Sequence, residues 1–432
     1  MNAIIPRRGI VIGTVGLVLI ALILTACTSQ AYSADSIMEA FPPVPSHGIL
    51  VYPNTNPSTY SDAAITPDDS IIGVGMFIAS SRPGSNSISN NEYSIIKISS
   101  GGRTSGISNQ QLDINIPDNV ASSPDGMIIV AGSLLRTSIV AELNTNGDIL
   151  WQTALDGDVR QNNLLATPMG GAVISGRLSG DSVIQTRNVD QAAPIEGAFI
   201  AMLSSQGDIL WATDGGFFYI YDMAVMSDGS VIIVGNNSDS GYCRITSCNA
   251  IARISPHGQR LWTRNLVDVN SNLVKLRNDA DTGTRLAVDK EDNIYLAAAT
   301  SNRQFYSKLD ANGDVLWTVD NQCIANGIIA GCAFTSVMTS DQGGIVAAGT
   351  IPHANPATND MDNGLYVIRV NESGAILWQQ SDQTAGMNYL VRSLMTASDG
   401  TITMVGALIQ IVTNSSILSQ AFIARLSPSG DL

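Results

Sequence analysis

The sequence predicts an all-β protein, a β-propeller of seven four-stranded blades whose ring is closed by pairing of the N- and C-terminal segments. Three observations predict this fold: tryptophans at a regular interval, seven apolar runs between them, and a period of about 55 residues that fits one blade. All five tryptophans take part, and they are Trp151, Trp211, Trp262, Trp317 and Trp378.

Each tryptophan closes one repeated pattern, most complete in Ala201-Met-Leu-Ser-Ser-Gln-Gly207-Asp-Ile-Leu-Trp211. The pattern reads as an alternating strand, a polar turn that ends in glycine, and a second strand, which is typical of a β-hairpin. Weaker copies without tryptophan begin at Ile96 and Ala424, so that seven hairpins are predicted.

A second element precedes most of these hairpins, with its clearest copy at Asp228-Gly229-Ser-Val-Ile-Ile-Val-Gly235. A run that is apolar at consecutive positions must be covered on both faces, whereas the alternating strands are half exposed. The apolar runs are therefore the inner strands and the hairpins the outer strands of each blade. Four strands of five or six residues and their connections fill about 55 residues.

The ring is predicted to close through the two ends of the chain. The last copy stops at Leu432, within its outer strand, while His47-Gly48-Ile49-Leu50-Val51-Tyr52 resembles the Gly-Asp-Ile-Leu-Trp element and has no hairpin partner. We expect residues near 48 to 53 to complete the last blade as its outermost strand, which removes an open edge. A truncated reading frame is the alternative explanation of the abrupt end.

The N-terminus is typical of an export signal. Arg7 and Arg8 precede an uncharged stretch from Gly9 to Ala26, and Leu24-Thr25-Ala26-Cys27 resembles the lipobox of bacterial lipoproteins. We expect a signal peptide over 1–26, then Cys27, lipid-modified and palmitoylated, and a flexible tether over 27–47 before the propeller over 48–432. An uncleaved transmembrane helix is the alternative, and both place the rest of the chain outside the cytoplasm, in the cell envelope.

Four cysteines remain after Cys27, in two close pairs: Cys243 with Cys248, and Cys323 with Cys332. In an oxidising compartment they are predicted to form two local disulfides, although four cysteines allow three pairings. A zinc site is the alternative, but neither spacing is that of a zinc knuckle and no histidine lies beside them.

The net charge of -15 becomes -17 when Arg7 and Arg8 leave with the signal. Such an acidic surface repels nucleic acid and anionic lipid, so no nucleic-acid partner is expected. We expect a monomer held at the membrane by its lipid.

The repeat from Ala201 to Trp211 resembles the tryptophan-docking motif of quinoprotein-type propellers, in which the tryptophan packs between blades. The longer unit, from Gly197 through Leu203 to the Gly-Asp-Ile-Leu-Trp ending, resembles the bacterial exported propeller repeat called SBBP. Leu203 and Asp208 stand where the docking motif usually has Asp and Lys. Because the adjacent-cysteine disulfide and the carboxylate set for a pyrroloquinoline quinone are also missing, the resemblance implies architecture and no cofactor. The propeller lipoprotein of the outer-membrane assembly machine shares the anchor and the motif, and its role is an analogy only.

No catalytic set emerges from the sequence. The three histidines, His47, His257 and His353, have no partner placed by sequence and are expected to be structural or exposed. Asp148, Asp208 and Asp314 recur at one turn position, which turn chemistry explains. The segment Asp360-Met-Asp362-Asn363-Gly364 is not explained in that way, and a calcium site there is a hypothesis.

Three long, polar connections between inner and outer strands, over 179–196, 236–249 and 351–363, are candidates for a binding surface on the rigid ring. The sequence therefore favours a non-catalytic binding or scaffold module for a protein or polysaccharide partner in the envelope. The alternative is a quinoprotein-like or carbohydrate-active propeller enzyme whose residues converge from several blades.

Overall fold

A computed structural model describes residues 48–51, 59–76, 93–107, 112–134, 137–155, 158–179, 197–237, 249–266, 284–299, 303–322, 324–325, 328–329, 333–355, 361–413 and 416–431. These residues form thirty strands, of which twenty-eight make seven four-stranded antiparallel sheets. The protein is a seven-bladed β-propeller, as the sequence predicts.

The strands of the first four blades follow in chain order from the centre outward. Blade 1 has β2 (Thr59–Ile65), β3 (Ile71–Met76), β4 (Tyr93–Ile98) and β5 (Thr104–Ile107). Blade 2 has β6 (Ile116–Ser122), β7 (Ile128–Leu134), β8 (Thr137–Leu143) and β9 (Ile149–Leu155). Blade 3 has β10 (Asp158–Ala166), β11 (Ala172–Ser179), β12 (Gly197–Leu203) and β13 (Ile209–Thr213). Blade 4 has β14 (Phe217–Val225), β15 (Val231–Asn237), β16 (Asn249–Ile254) and β17 (Arg260–Asn265).

Blade 5 has β18 (Thr284–Val288), β19 (Ile294–Ala299), β20 (Arg303–Leu309) and β21 (Val315–Gln322), and is followed by a ribbon of β22 (Ile324–Ala325) and β23 (Ile328–Ile329). Blade 6 has β24 (Ala333–Thr339), β25 (Ile345–Ala354), β26 (Met361–Val370) and β27 (Ile376–Asp382). Blade 7 has β28 (Asn388–Thr396), β29 (Ile402–Thr413) and β30 (Ser416–Leu426), with β1 (Gly48–Val51) as its fourth strand.

Strand β1 closes the ring, which confirms the predicted pairing of the two ends. It runs antiparallel to β30, with Gly48 opposite Arg425 and Val51 opposite Phe422. The observed register is not the one that the resemblance to the Gly-Asp-Ile-Leu-Trp element implies. Arg425 corresponds to Met202 of blade 3, which pairs with Trp211, so Gly48 lies in the position that tryptophan takes in other blades.

The second strand of each blade is apolar because it is covered on both sides. All six side chains of β19 are buried, and the outer strand β17 of the neighbouring blade has none that is fully buried. Seven apolar clusters fill the described part of the molecule, one between each pair of adjacent blades. The ring is therefore stabilised at the joints between blades.

The two kinds of short turn lie on one face of the ring, which we call the turn face. The inner turn of a blade joins its first strand to its second, as at Met226–Ser230, and the outer turn joins the third to the fourth, as at Ser255–Gln259. The opposite face, the loop face, carries the connections from the second strand to the third and from blade to blade. The long connections of blades 3, 4 and 6 belong to the loop face, and their central residues lie outside the described part of the chain.

No helix long and apolar enough to cross a membrane occurs among the residues that the structure describes.

Candidate functional site

The innermost strands of all seven blades line a central channel of about 610 Å³. At one level each of them contributes a polar residue, and we call these seven residues the channel ring. In every blade the ring residue is the ninth before the start of the second strand. The channel ring consists of Asp62, Asn119, Asn163, Asp222, Arg285, Ser336 and Ser393.

A β-bulge places the ring residue in six of the seven blades. The strand pairing shifts immediately before Asp62, for example, where Tyr60 and Asp62 face consecutive residues of β3. A bulge adds one residue to one strand and redirects its side chains. Blade 5 pairs β18 with β19 without a shift, and Arg285 takes the ring position there.

Asp62 connects three blades. Its carboxylate accepts hydrogen bonds from the backbone N–H of Ala63 at 2.8 Å and from that of Val120, in blade 2, at 3.0 Å. The Ser393 hydroxyl of blade 7 also donates to it, and Oγ of Ser393 accepts from the N–H of Ala63 at 2.8 Å. The carboxylate of Asp62 therefore holds blades 7, 1 and 2 together at the channel.

Asp222 and Arg285 form a similar connection at the opposite side of the channel. The carboxylate of Asp222 accepts from the N–H of Met223 and from that of Leu286, in blade 5, both at 2.9 Å. Nε of Arg285 donates to the carbonyl of Thr335, in blade 6, at 2.6 Å. Blades 4, 5 and 6 are thus linked by charged side chains that bond to backbone groups.

Burial raises the pKa of two carboxyls of the channel ring and of a third beside the ring. It raises the pKa of Asp62 to about 6, although the hydrogen bonds from Ser393 and from backbone N–H groups oppose the rise. Burial also raises the pKa of Asp222, against the nearby positive charge of Arg285. Asp118, which precedes the ring residue Asn119, has its pKa raised to about 6 by burial alone. All three carboxyls therefore hold their protons at a higher pH than a free aspartate does.

The chemistry of the ring is that of a scaffold. A general acid or base must have its carboxyl within reach of a substrate. The carboxylates of Asp62 and Asp222 instead accept backbone N–H groups across blade joints. Arg392 is the exposed cation of the channel wall, so the channel offers hydroxyl, amide and guanidinium groups to water or to a polar ligand.

The fold brings His353 to Asp362, a pairing that sequence reasoning missed. They face each other in the β25–β26 ladder, with Nε2 of His353 at 4.0 Å from Oδ2 of Asp362, and both side chains are buried. Asp362 also accepts from the N–H of Gly386 at 2.6 Å and from Nδ2 of Asn388 at 3.2 Å. Its carboxylate is therefore occupied by protein donors.

The calcium hypothesis gains no ligand set here. Asp360 lies outside the described residues, and within the described ranges no three His, Cys, Asp or Glu side chains are grouped in a way that could hold a metal ion. Asp382, close to His353, accepts the Tyr389 hydroxyl at 2.6 Å. This buried polar cluster joins blade 6 to the start of blade 7.

The remaining sequence candidates lie apart from the channel. His257 is exposed in an outer turn, and Oδ1 of Asp310 accepts the N–H groups of Asn312 and Asp314, an arrangement that caps the turn. Asp148 and Asp208 occupy equivalent turns. The following lie outside the described residues: Cys27, Cys243, Cys248, Cys323, Cys332 and His47. The lipid anchor and the disulfides therefore stay predictions.

The five tryptophans lie at five of the seven blade joints, each against the outer turn of the next blade. A Cβ added at Gly207 would lie 2.5 Å from the ring of Trp151, and one at Gly258 would lie 2.9 Å from that of Trp211. The same contact joins Trp262 to Gly313, Trp317 to Gly374 and Trp378 to Gly430. The glycine is required because its φ is positive and the indole covers it.

Comparisons with known proteins find solved structures of distant similarity and no family. No family model matches the chain, and no curated protein matches its sequence. Among solved structures, the Dos1 propeller is similar at 8% identity, covering 93% of this chain and 97% of that one, with a TM-score of 0.48. YCF48 from Cyanidioschyzon merolae is similar at 10% identity, over 87% and 98% of the two chains, with a TM-score of 0.49. A protein of unknown function from Bacteroides caccae shares 14% identity over 70% and 90%, with a TM-score of 0.41. The relationship to SBBP and quinoprotein repeats stays a prediction.

Proposed function

We propose that this protein is an exported lipoprotein, anchored through Cys27, whose propeller is a non-catalytic binding or scaffold module for a protein or polysaccharide partner in the cell envelope. The observation that carries the binding role is the use of the channel carboxylates Asp62 and Asp222. Both accept backbone N–H groups of a neighbouring blade, so the polar ring stabilises the platform.

The loop face is the proposed contact surface. Its connections differ widely in length, from two residues between β7 and β8 to the seventeen residues 180–196 between β11 and β12. A rigid ring with variable loops on one face is the usual arrangement of a recognition surface. The turn face is built instead of short, hydrogen-bonded turns that repeat from blade to blade.

The test of the binding role uses the full chain in its own envelope. Residues 180–196 are replaced by Leu135-Arg136, the connection at the same place in blade 2, which leaves β11 and β12 paired. We expect crosslinking and affinity capture to recover a defined envelope protein or polysaccharide with the native chain and to lose it with this variant. The control is Gln206→Ala on the turn face, which should capture normally. Equal capture by both variants would contradict the loop face as the contact surface.

The anchor has a separate test. In Cys27→Ser, the lipid attachment point is missing, so we expect the protein to leave the membrane fraction and to lose incorporation of a labelled fatty acid. Unchanged labelling would refute the anchor without affecting the propeller.

An enzyme is the second candidate, and Asp118 is the observation that favours it. Burial raises the pKa of this carboxyl to about 6, the range of a general acid at neutral pH. A panel of polysaccharide substrates would decide: turnover by the native protein that is lost in Asp118→Asn supports an enzyme, and absence of turnover supports the binding module.

A further inference from the structure

One position of the third strand carries a charge in six blades. It is the residue opposite the second residue of the second strand, and it lies next to the inner turn of its own blade. In chain order, from blade 1 to blade 7, the residues are Lys97, Glu142, Met202, Arg253, Lys308, Arg369 and Arg425.

Most of these cations have a carboxylate partner in or beside the inner turn. Nζ of Lys97 lies 3.6 Å from Asp68, and Nη2 of Arg253 lies 2.7 Å from Asp228, the third residue of its turn. Hydrogen bonds from Thr401 and, as a smaller contribution, the positive charge of Arg425 lower the pKa of Asp399, at the same turn position. The inner turn and the third strand thus form a charge pair within one blade.

Blades 2 and 3 depart from this pairing. Blade 3 has Met169 in the turn and Met202 in the strand, so neither position is charged. Blade 2 has Asp125 and Glu142, and the Glu142 carboxylate accepts instead the indole N–H of Trp151 at 2.7 Å.

Blade 6 breaks the pairing. The turn position that holds Asp228 in blade 4 holds Gln342. The carboxylate of Asp341, one position earlier in the same turn, forms no salt bridge with Arg369 among the described residues. Arg369 is only 4% exposed, and Nη2 donates to the carbonyl of Gly343 at 2.9 Å. Its Nη1 is buried and has no acceptor in the described part of the chain. A buried guanidinium without an anion is unfavourable because water no longer solvates its charge.

A pocket of about 180 Å³ lies beside this arginine, between blades 6 and 7 on the turn face. Arg369 forms part of its wall, together with the hydroxyls of Ser340 and Thr396 and the exposed carboxylates of Asp341 and Asp399. One wall therefore offers a cation and the rim offers two anions. A ligand that fits this pattern carries one negative charge and, a few ångströms away, one positive charge.

We propose that the pocket between blades 6 and 7 binds a free α-amino acid, with its carboxylate at Arg369 and its ammonium group at Asp341 or Asp399. A guanidinium binds a carboxylate through charge-assisted hydrogen bonds. A dianion such as phosphate is disfavoured because the two aspartates would repel it. The volume suits a small amino acid. This site is independent of the partner proposed for the loop face.

The test measures binding of glycine, L-alanine and L-serine to the purified full chain by calorimetry. We expect at least one of them to bind with a Kd of about 1 mM or tighter, an affinity within reach of a ligand of five to seven atoms. N-acetylglycine lacks the ammonium group and ethylamine lacks the carboxylate, and each should bind at least about tenfold more weakly. The proposal is overturned if none of the three amino acids binds, or if ethylamine binds equally well.

Two variants assign the binding to Arg369. Arg369→Met removes the guanidinium and should lower the affinity at least about tenfold. The matched control is Arg253→Met, at the same position of blade 4, which should leave the affinity unchanged and lower the melting temperature because Asp228 loses its partner. Equal affinities of Arg369→Met and the native chain would overturn the assignment.

Gln342→Asp is the variant that does not depend on removing a buried side chain. It gives blade 6 the turn residue of blade 4, so the new carboxylate pairs with Arg369 and takes the place of the ligand. We expect a higher melting temperature and loss of amino-acid binding. Retained binding with a raised melting temperature would show that Arg369 is not the binding group.

Discussion

The joints between blades fall into two kinds. Five of them, from blade 2 to blade 7, have an indole of one blade against the turn glycine of the next. The two joints of blade 1 have none: Ser105 pairs with Lys97 at the tryptophan position in blade 1, and Gly48 holds that position in the closing strand. A Cβ added at Gly48 would meet no atom within 4 Å.

The joints of blade 1 are held instead near the channel. Asp62 bonds to blade 2 and to blade 7, and Asp69, in the inner turn of blade 1, accepts the N–H of Ser398 at 2.8 Å. Asp69 has a φ of 59°, which costs an aspartate energy because its Cβ crowds the backbone in this conformation. Most blades have glycine at this turn position.

The joint between blades 4 and 5 supports this interpretation because it has a tryptophan whose indole N–H lacks an acceptor. There Nε1 of Trp262 is buried without a partner among the described residues, and both kinds of aspartate appear again. Asp222 bonds to Leu286, and Asp292, with a φ of 62°, accepts the N–H of Ser227 at 2.8 Å. Indole packing at the rim and aspartate bonds near the channel are therefore two ways to hold blades together, and this joint uses both.

The largest expected effect is at a tryptophan joint. Trp211 is 3% exposed and its Nε1 donates to the carbonyl of Pro256 at 2.8 Å. Trp211→Ala should lower the free energy of unfolding by about 3–5 kcal/mol, measured by denaturant titration. Leu210→Ala, at the exposed neighbour, is the control and should change it by less than about 0.5 kcal/mol. Similar values for both would contradict a role of the indole in the joint.

The receiving turn gives the second effect. Gly207→Ala combines a positive φ with a steric clash against Trp151. Thermal melting should therefore show a free energy of unfolding lower by about 2–4 kcal/mol. Gly386 has the same φ, 82° against 81°, and open space around it. Gly386→Ala should therefore cost only the backbone strain, about 1–2 kcal/mol. If the two losses are equal, the indole does not require the glycine.

The joints of blade 1 should respond to pH. The pKa of Asp62 rises from 3.8 to about 6 on folding, so the folded state binds this proton more tightly than the unfolded state. The stability from this group is complete below pH 3.8 and is lost as the pH rises through about 6. Relative to Asp62→Asn, the free energy of unfolding of the native chain should fall by up to about 3 kcal/mol over this range, measured by denaturant titration at pH 4 to 7.

A carboxyl with the opposite shift is the control for this pH dependence. Hydrogen bonds from Thr401 lower the pKa of Asp399. Relative to Asp399→Asn, the native chain should therefore not lose stability as the pH rises from 4 to 7. A native chain and an Asp62→Asn variant with parallel pH profiles would contradict the raised pKa.

The smallest effect is expected at Asp69. Asp69→Gly removes the strain of a positive φ and also the hydrogen bonds from Ser398, so the two changes oppose each other. We expect a melting temperature that corresponds to a change within about 1 kcal/mol. Asp69→Ala keeps the strain and loses the bonds, and should be less stable than the glycine variant. The reverse order would show that the positive φ at this position carries no strain.

The sequence predicts the blades well because their signals are local. The apolar run that becomes β15 and the turn glycine before Trp211 are each determined by a few neighbouring residues. The closing strand was also predictable, but its register was not. Aligning the residues around Gly48 with the repeat does not give the observed pairing of Gly48 with Arg425.

The polar residues that organise the channel were harder to find. Asp62 and Asp222 are single carboxylates in otherwise unremarkable strands, and their partners lie one blade away. Their constant distance from the second strand is the signal that could have identified them. The partner of His353 depends on the register of a long hairpin, which residue patterns alone do not determine.

Ring closure by β1 has a consequence for the order in which the protein matures. Strand β1, the first of the described strands to leave the ribosome, pairs with β30, the last of them, so their contact spans almost the whole described part of the chain. Contacts of such separation form slowly, because the intervening chain must be ordered before they bring any gain. Until β30 has been synthesised, β1 has no partner and the ring remains open. The newly made chain therefore passes through a stage in which an unpaired strand edge is exposed to aggregation, and a folding helper would act at that stage.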